Sequence, residues 1–305
     1  MRLLQIAKRV TLFVVVNILV VLTIGVLVSL TGLDRYLSRD TINGLLIFCL
    51  IWGFSGALIS LALSRVMAKW MMGVKVIPPD ARDPYLRQLV MTVHELARAA
   101  GLPAMPEVGI YESPEPNAFA TGPSRARSLV AVSTGLLEKM TPDQIRGVLG
   151  HEVAHIANGD MVTMTLIQGV INAFVLFLSR ILAFVIVQAA RGRDSRGNDI
   201  LMYMLVMVFQ IVFSLLGAIV VCWFSRMREF RADAGGARLA GRQSMIDALR
   251  ALQRLYDPEL AAIEAQRAQA FQAFKISGKQ SKFLRLFTTH PPLEERIMRL
   301  QQLRD

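Results

Sequence analysis

Four long apolar stretches constrain this chain more than any other feature of its sequence. Residues 10–33, 41–64 and 200–225 hold no formally charged side chain over 24, 24 and 26 residues. Each stretch exceeds the roughly 18 residues that a helix needs to span a bilayer. A fourth stretch, 161–190, is interrupted only by Arg180, whose guanidinium must reach headgroups, water or protein. We therefore predict an α-helical membrane protein with four transmembrane segments.

The composition supports a membrane protein and indicates which partners it binds. Of 305 residues, 53% are hydrophobic even without glycine, and only 19% are charged, which excludes an ordinary soluble domain. The net charge of +11 would indicate a nucleic-acid partner in a soluble protein, but in a membrane protein it is typical of Lys and Arg collected on the cytoplasmic side. We predict a lipid bilayer and no nucleic acid as partners. The two cysteines lie inside apolar stretches and predict no disulfide framework.

The distribution of basic residues predicts the orientation. Ten Lys and Arg flank the segments on the side of the two termini, whereas five lie in the loops 34–40 and 191–199. The positive-inside rule then places both termini in the cytoplasm. The first segment is expected to be a retained anchor. The predicted organisation is an N-terminal hairpin (1–64), a cytoplasmic part (65–160), a second hairpin (161–225) and a second cytoplasmic part (226–305).

The two cytoplasmic parts show helical and strand patterns in a mainly α, α+β arrangement with a small sheet. Apolar residues recur at helical spacing after Asp83, and short apolar runs between turn residues indicate strands. Helices are predicted over 83–100, 142–158, 226–256 and 261–274, and strands over 108–111, 117–121 and 129–133.

The helix predicted over 142–158 carries a metal-binding motif. Thr141 and Pro142 are typical of a helix start, and Gly159 is typical of a helix end. Within it, residues 151–155 read His-Glu-Val-Ala-His, so His151 and His155 lie one turn apart on one face and can meet at one Zn²⁺. Glu152 can reach water at the metal as a general base. The alternative is a helix with two histidines that bind nothing. A similar pair, His94-Glu95, has Arg98 in the fifth position and cannot chelate.

A catalytic zinc needs a third protein ligand. The residues after His155 read Ile-Ala-Asn-Gly-Asp, which is not the metzincin continuation, so a Glu on a second helix is the expected solution. Glu229 is the best candidate, and Asp233 at i+4 could accept the N–H of a ligand histidine. An acidic pair that forms salt bridges within a run of arginines is the alternative.

The chain resembles the HtpX-type heat-shock membrane zinc metalloproteases, gluzincins related to the CAAX prenyl proteases. The resemblance rests on three separated motifs: HEVAHIANGD from 151, REFRAD from 228 and THPPLEER from 289. It implies a zincin-like metalloprotease domain with one Zn²⁺ per chain on His151, His155 and Glu229, and Glu152 as the catalytic base. It also implies a multi-pass protein of the bacterial cytoplasmic (inner) membrane. Its active site would be cytoplasmic, and it would cleave misfolded or damaged membrane proteins under stress.

Further roles follow from the resemblance and from chain position. Asp160 and Asp233 are expected to support the ligand histidines. Asn117, Ala118, Phe119 and Ala120 match the family pattern before the zinc helix, and as an edge strand they would pair with an extended polypeptide substrate. His290 is either a residue that stabilises the tetrahedral intermediate or holds the substrate carbonyl, or a surface residue before a helix; the resemblance favours the former. Arg296 is expected to pair with a carboxylate near the site.

Three other functions remain to be weighed. A processing protease with one membrane or prenylated substrate would share every motif. A non-catalytic, zinc-stabilised membrane scaffold would need no base, and Glu152 argues against it. A transporter is disfavoured because the apolar segments hold no acidic residue.

Overall fold

The computed structural model describes residues 42–189, 198–256 and 288–303. The predicted first segment (10–33), the predicted helix 261–274 and most of the loop 191–199 lie outside the described residues. In chain order, the described elements are α1 (Ile42–Met71), β1 (Lys75–Val76), α2 (Pro84–Ala99), β2 (Glu107–Tyr111), β3 (Ala118–Ser124), β4 (Arg127–Ser133), α3 (Thr134–Lys139), α4 (Pro142–Asn158), α5 (Asp160–Ala189), α6 (Asn198–Ala240), α7 (Arg242–Tyr256) and α8 (Leu293–Gln302).

The described residues divide into two compact units, and the first one comprises 42–60, 165–189 and 198–221. Helices α1, α5 and α6 are each long and apolar enough to cross a membrane. Inside this unit, Gly53 lets two helix backbones come close, because a Cβ there would lie 2.5 Å from the Ala173 nitrogen. The Asn172 amide donates to the Gly53 carbonyl at 3.5 Å, which gives a polar side chain a partner in apolar surroundings. Three of the four predicted segments are therefore confirmed as long apolar helices.

The second unit comprises 61–164, 222–256 and 288–303 of the described residues. It contains a four-stranded sheet in the order β1-β2-β4-β3. Strands β2 and β4 are parallel, and the other two pairs are antiparallel. The three predicted strands are confirmed, and β1 adds a fourth. Strand β3 is an edge strand, and within the described residues it pairs only with β4. At Gly122 (φ +147°) a Cβ would meet the Arg127 carbonyl oxygen at 2.2 Å, so glycine permits the irregular pairing before the turn.

The core of this unit lies between the sheet and the helices α2 and α4. On α4, Leu149, Val153 and Ile156 are fully buried in it at helical spacing. Residues two positions further along a helix are rotated by about 200°. The face that holds α4 on the core therefore leaves His151 and His155 on the opposite side.

The stretch 226–256, predicted to be helical, is confirmed as helical and is divided into two helices at Gly241. Helix α6 runs from the apolar segment without a break to Ala240, and α7 begins at Arg242. Between them, Gly241 adopts a left-handed conformation (φ +96°), which lets the chain turn. Helix α7 then packs on α4 so closely that a Cβ on Gly147 would lie 2.4 Å from the Ser244 carbonyl oxygen.

The last turns of α1 are tied to the sheet by charges. Arg65 and Lys69 form ion pairs with Glu107 at the start of β2. Burial raises the pKa of the Glu107 carboxyl, but the hydrogen bonds from Lys69 and Arg65 outweigh it. Its pKa therefore lies below the ordinary value, and the ionised form stabilises the fold.

Candidate metal centre

Helix α4 begins and ends where its local chemistry predicts. The Thr141 hydroxyl accepts from the Gln144 N–H and the Gln144 side chain accepts from the Thr141 N–H, which makes a capping box. Gly159 ends the helix in a left-handed conformation (φ 67°). The helix brings the Nε2 atoms of His151 and His155 to 3.1 Å from each other.

Glu229 on α6 completes a three-residue cluster. Its carboxylate oxygens lie 3.6 Å from His151 Nε2 and 3.4 Å from His155 Nε2. A tetrahedral zinc with ligands at about 2.0–2.1 Å has ligand–ligand edges of about 3.4 Å. Glu229 as a whole is 1% exposed, and its Oε1 makes no hydrogen bond of ordinary geometry within the described residues. The three side chains are therefore able to hold a metal ion between them.

Glycines allow α6 to come close enough to α4 for this contact. A Cβ on Gly236 would lie 2.9 Å from the backbone nitrogen of His151, and one on Gly150 would lie 2.9 Å from the Ala240 Cβ. A Cβ on Gly235 would lie 2.7 Å from the Ala154 Cβ. The sequence analysis missed these glycines. Their presence inside predicted helices was the available signal. A glycine in a helix destabilises it by about 1 kcal/mol relative to alanine, so several of them indicate close packing against a neighbour.

Two carboxylates contact the other side of the histidine rings. Asp160, the first residue of α5, lies with its Oδ2 2.6 Å from His155 Nδ1. Asp233, one turn after Glu229 on α6, lies with its Oδ1 2.9 Å from His151 Nδ1. Each Nδ1 can donate to its carboxylate, which leaves Nε2 as the ligand atom. The structure thus brings both predicted supporting residues to the two histidines.

The C-terminal part of the chain adds two more side chains. Arg296 on α8 forms a two-point ion pair with Asp233, from Nε to Oδ2 at 2.7 Å and from Nη2 to Oδ1 at 2.6 Å. His290, just before α8, lies with its Nδ1 2.9 Å from Glu229 Oε2. The His290 side chain is 64% exposed, so a substrate can also reach it. The carboxylate partner expected for Arg296 is therefore Asp233.

The protonation of the two histidines depends on these carboxylates. Burial lowers the pKa of His155, but the Asp160 and Glu229 carboxylates outweigh it and raise the pKa to about 9. Burial also lowers the pKa of His151, and Asp233 and Glu229 raise it above the ordinary value. Because a ligand imidazole must lose its proton, metal binding here releases protons and weakens as the pH falls.

The remaining predicted residues lie near the cluster in the chain. Glu152 follows His151 on α4 and is half-buried. Ala118 and Ala120 on β3 pack against the core that α4 shares, and Phe119 points to Tyr111, with ring centroids 5.6 Å apart. The predicted start of the strand 117–121 is wrong by one residue. The strand β3 begins at Ala118, so Asn117 lies outside it and is exposed.

The strand start shifts because a side chain competes for the Asn117 backbone. The Asn117 N–H donates to the Ser133 hydroxyl, and its carbonyl accepts from the Ser133 N–H, both at 2.9 Å. The similar pair His94-Glu95 makes other contacts. The His94 Nε2 is 3.1 Å from the Pro106 carbonyl oxygen, and Glu95 forms an ion pair with Arg146.

Comparison with known proteins agrees with the cluster. Residues 83–304 match the model of peptidase family M48. The protease HtpX homologue of Bacillus subtilis strain 168 is 52% identical over 308 residues, covering 97% of this chain and 99% of that protein. The homologue of Methylacidiphilum infernorum is 50% identical over 301 residues, covering 98% and 99%. Protease HtpX of Thioalkalivibrio sulfidiphilus is 47% identical over 301 residues, covering 97% and 99%.

A solved structure shares the fold. The crystal structure of S. mikatae Ste24p superposes with a TM-score of 0.57 at 17% sequence identity, over 94% of this chain and 66% of that chain. At this identity the likeness concerns the fold alone. With the family match over residues 83–304 and relatives at about half identity over nearly the whole length, the chain belongs to peptidase family M48, among the membrane metalloproteases named HtpX.

Proposed function

We propose that this peptidase is a zinc-dependent endopeptidase whose active site faces the cytoplasm and which cleaves misfolded or damaged membrane proteins. One observation carries the catalytic part of the proposal. His151, His155 and Glu229 converge with ligand spacing, and Glu152 lies on the same helix next to the first of them. A buried site that served only structure would need no base beside it.

The proposed chemistry is hydrolysis of a peptide bond. Zinc, when bound, would supply activation of a water molecule and polarisation of the scissile carbonyl. The Glu152 carboxylate accepts a proton from the attacking water, whose oxygen bonds to the carbonyl carbon. As the C–N bond breaks, Glu152 gives that proton to the leaving nitrogen. Asp160 and Asp233 keep the two ligand imidazoles oriented through their Nδ1 atoms. His290 would contact the substrate carbonyl from its exposed position beside Glu229.

The substrate would bind as an extended chain along β3. The outer edge of β3 carries backbone donors and acceptors that pair with no other strand in the described residues. Such pairing reads the backbone rather than the side chains, so we expect loose sequence selectivity. That property suits a protease that removes damaged proteins of many sequences.

The membrane location supports the choice of substrate. The chain is a membrane protein with apolar helices α1, α5 and α6. The excess of basic residues around 1–9, 65–75 and 226–238 favours the cytoplasmic side of the bacterial inner membrane for the active site. Membrane proteins that diffuse in the bilayer would meet an anchored site there.

One experiment tests the proposal. Wild type and Glu152→Gln, purified in detergent, are incubated with casein and with an unfolded membrane protein, with and without a zinc chelator. We expect chelator-sensitive cleavage by the wild type, and a rate at least 10²-fold lower for Glu152→Gln with unchanged zinc content. Glu138→Gln, on the exposed surface of α3, is the matched control and should cleave normally. Cleavage by Glu152→Gln at the wild-type rate would refute the mechanism. In a parallel digest of a broad peptide library, cleavage of a single sequence would indicate a processing protease.

A further inference from the structure

The C-terminal helix α8 reaches the candidate metal centre with a single buried charge. Arg296 is 6% exposed, and its guanidinium donates to both oxygens of Asp233. A guanidinium that makes two parallel hydrogen bonds to a carboxylate fixes the plane of that carboxylate as well as its position. Arg296 therefore determines how Asp233 presents its Oδ1 to His151.

Arg296 also faces the cluster directly. Its Nη1 lies 3.7 Å from Glu229 Oε2, and its Nη2 lies 3.4 Å from His151 Nδ1. Two of the three residues able to hold the metal, Glu229 and His151, are thus within 4 Å of the same guanidinium. His151 is also linked to it through Asp233. His155 is supported separately by Asp160.

The apolar side chains of α8 pack on α7 rather than on the residues of the metal centre. Ile297 and Leu300 are buried in a separate apolar cluster with Met245, Ile246 and Leu249 of α7. That cluster fixes the helix, and the helix in turn places Arg296. The charge and the packing can therefore be changed independently.

We propose that Arg296 is a positioning residue for the metal: by locking Asp233, it holds His151 in the orientation and tautomer that present Nε2, and so completes the metal centre from the C-terminal helix. This inference rests on the proposed metal site. Losses from such outer partners typically lower metal affinity 10–100-fold. Lysine at 296 would keep the charge but could not make two parallel hydrogen bonds.

The test measures Co²⁺ binding in full-length protein that carries Glu152→Gln, so that activity plays no part. The variants are Arg296→Lys, Arg296→Gln and the double variant Asp233→Asn with Arg296→Gln. Arg296→Gln alone leaves the Asp233 carboxylate buried without its partner and could fail to fold for that reason. The double variant removes both charges and keeps the test possible in that case. Ile297→Val is the matched control, because it loosens the packing of α8 and leaves the charges in place. Dissociation constants come from competition with a chelator, and the visible absorption bands of Co²⁺ report the ligand geometry.

We expect the dissociation constant to rise about 10–100-fold in both single variants, with altered cobalt bands. The double variant should differ from Arg296→Gln by less than about threefold, because both residues act along one path. Ile297→Val should lower the melting temperature with unchanged cobalt bands. Arg296 variants with wild-type affinity and bands, or additive losses in the double variant, would overturn the inference alone. If the parent protein, with Glu152→Gln and Arg296 intact, binds no cobalt, the proposed function itself is overturned.

Discussion

Gly236→Ala is predicted to loosen the metal centre with a single added carbon. Gly236 lies on α6, two turns after Glu229, and faces the backbone of α4. An added Cβ would lie 2.9 Å from the backbone nitrogen of His151, 3.1 Å from the His151 Cα and 3.1 Å from the Met245 Sδ. Since relaxed carbon contacts lie at about 3.5–4.0 Å, the two helices must separate by roughly 0.5–1 Å.

The magnitude of the effect follows from two opposing contributions. Overpacking against a rigid neighbour typically costs about 1–3 kcal/mol. Alanine returns about 0.8–1.0 kcal/mol through its higher helix propensity. We therefore expect a net loss of about 0–2 kcal/mol in the free energy of unfolding. Metal affinity should suffer more, because a metal site tolerates only about 0.2 Å in ligand distance and α6 carries Glu229 with it.

The assay is thermal unfolding with and without zinc, together with a zinc dissociation constant from chelator competition. The stabilisation by zinc reports the affinity for the folded state. We expect at least a 10-fold weaker affinity for Gly236→Ala. Gly147→Ala is the matched control: its Cβ would lie 2.4 Å from the Ser244 oxygen of α7, so it should destabilise the fold but leave Glu229 in place. Wild-type zinc affinity in Gly236→Ala would refute the close approach of α4 and α6.

Three further predictions concern the ligands, the pH dependence and the topology. Glu229→Ala should release zinc to a mild chelator, whereas Asp233→Ala should weaken zinc binding only about 10–100-fold, as measured by retained metal after dialysis; the reverse order would exchange their roles. The depressed pKa of Glu107 stabilises the fold above the ordinary pKa of the group, and this stability is lost as the pH falls through the folded pKa. The melting temperature of Glu107→Gln should therefore fall less than that of the wild type below about pH 4.5, and equal slopes would contradict the ion pairs. A reporter after Asp305 should read cytoplasmic and one at 194–197 should read outside; a cytoplasmic signal at 194–197 would contradict the predicted crossing.

Elements with local signals could be predicted from the sequence. Thr141, Pro142 and Gly159 set the bounds of α4 through caps that involve only near neighbours. The strands around Val108 and Val130 are short apolar runs between turn residues. The place of the two histidines on one face of α4 also follows from helix geometry alone.

Features that depend on contacts between distant residues could not be read in the same way. Strand β1 is only two residues long, too short for a periodic signal. The turn at Gly241 looks like any glycine within a helical pattern until α7 is seen to pack on α4. Glu229 was a candidate by residue type, but its distance to His151 depends on the glycines that let the helices meet. The ion pair of Arg296 with Asp233 joins residues 63 positions apart.

The ligand set is tested most directly by zinc X-ray absorption on full-length Glu152→Gln purified without added metal. If His151, His155 and Glu229 are the ligands, the protein holds a single zinc per chain with nitrogen and oxygen ligands at about 2.0–2.1 Å, two of them imidazoles. In the additional variant Glu229→Ala, one protein ligand should be lost and the zinc content should fall. No bound zinc, a sulfur ligand at about 2.3 Å, or an unchanged ligand shell in Glu229→Ala would contradict the central claim that His151, His155 and Glu229 hold the catalytic metal.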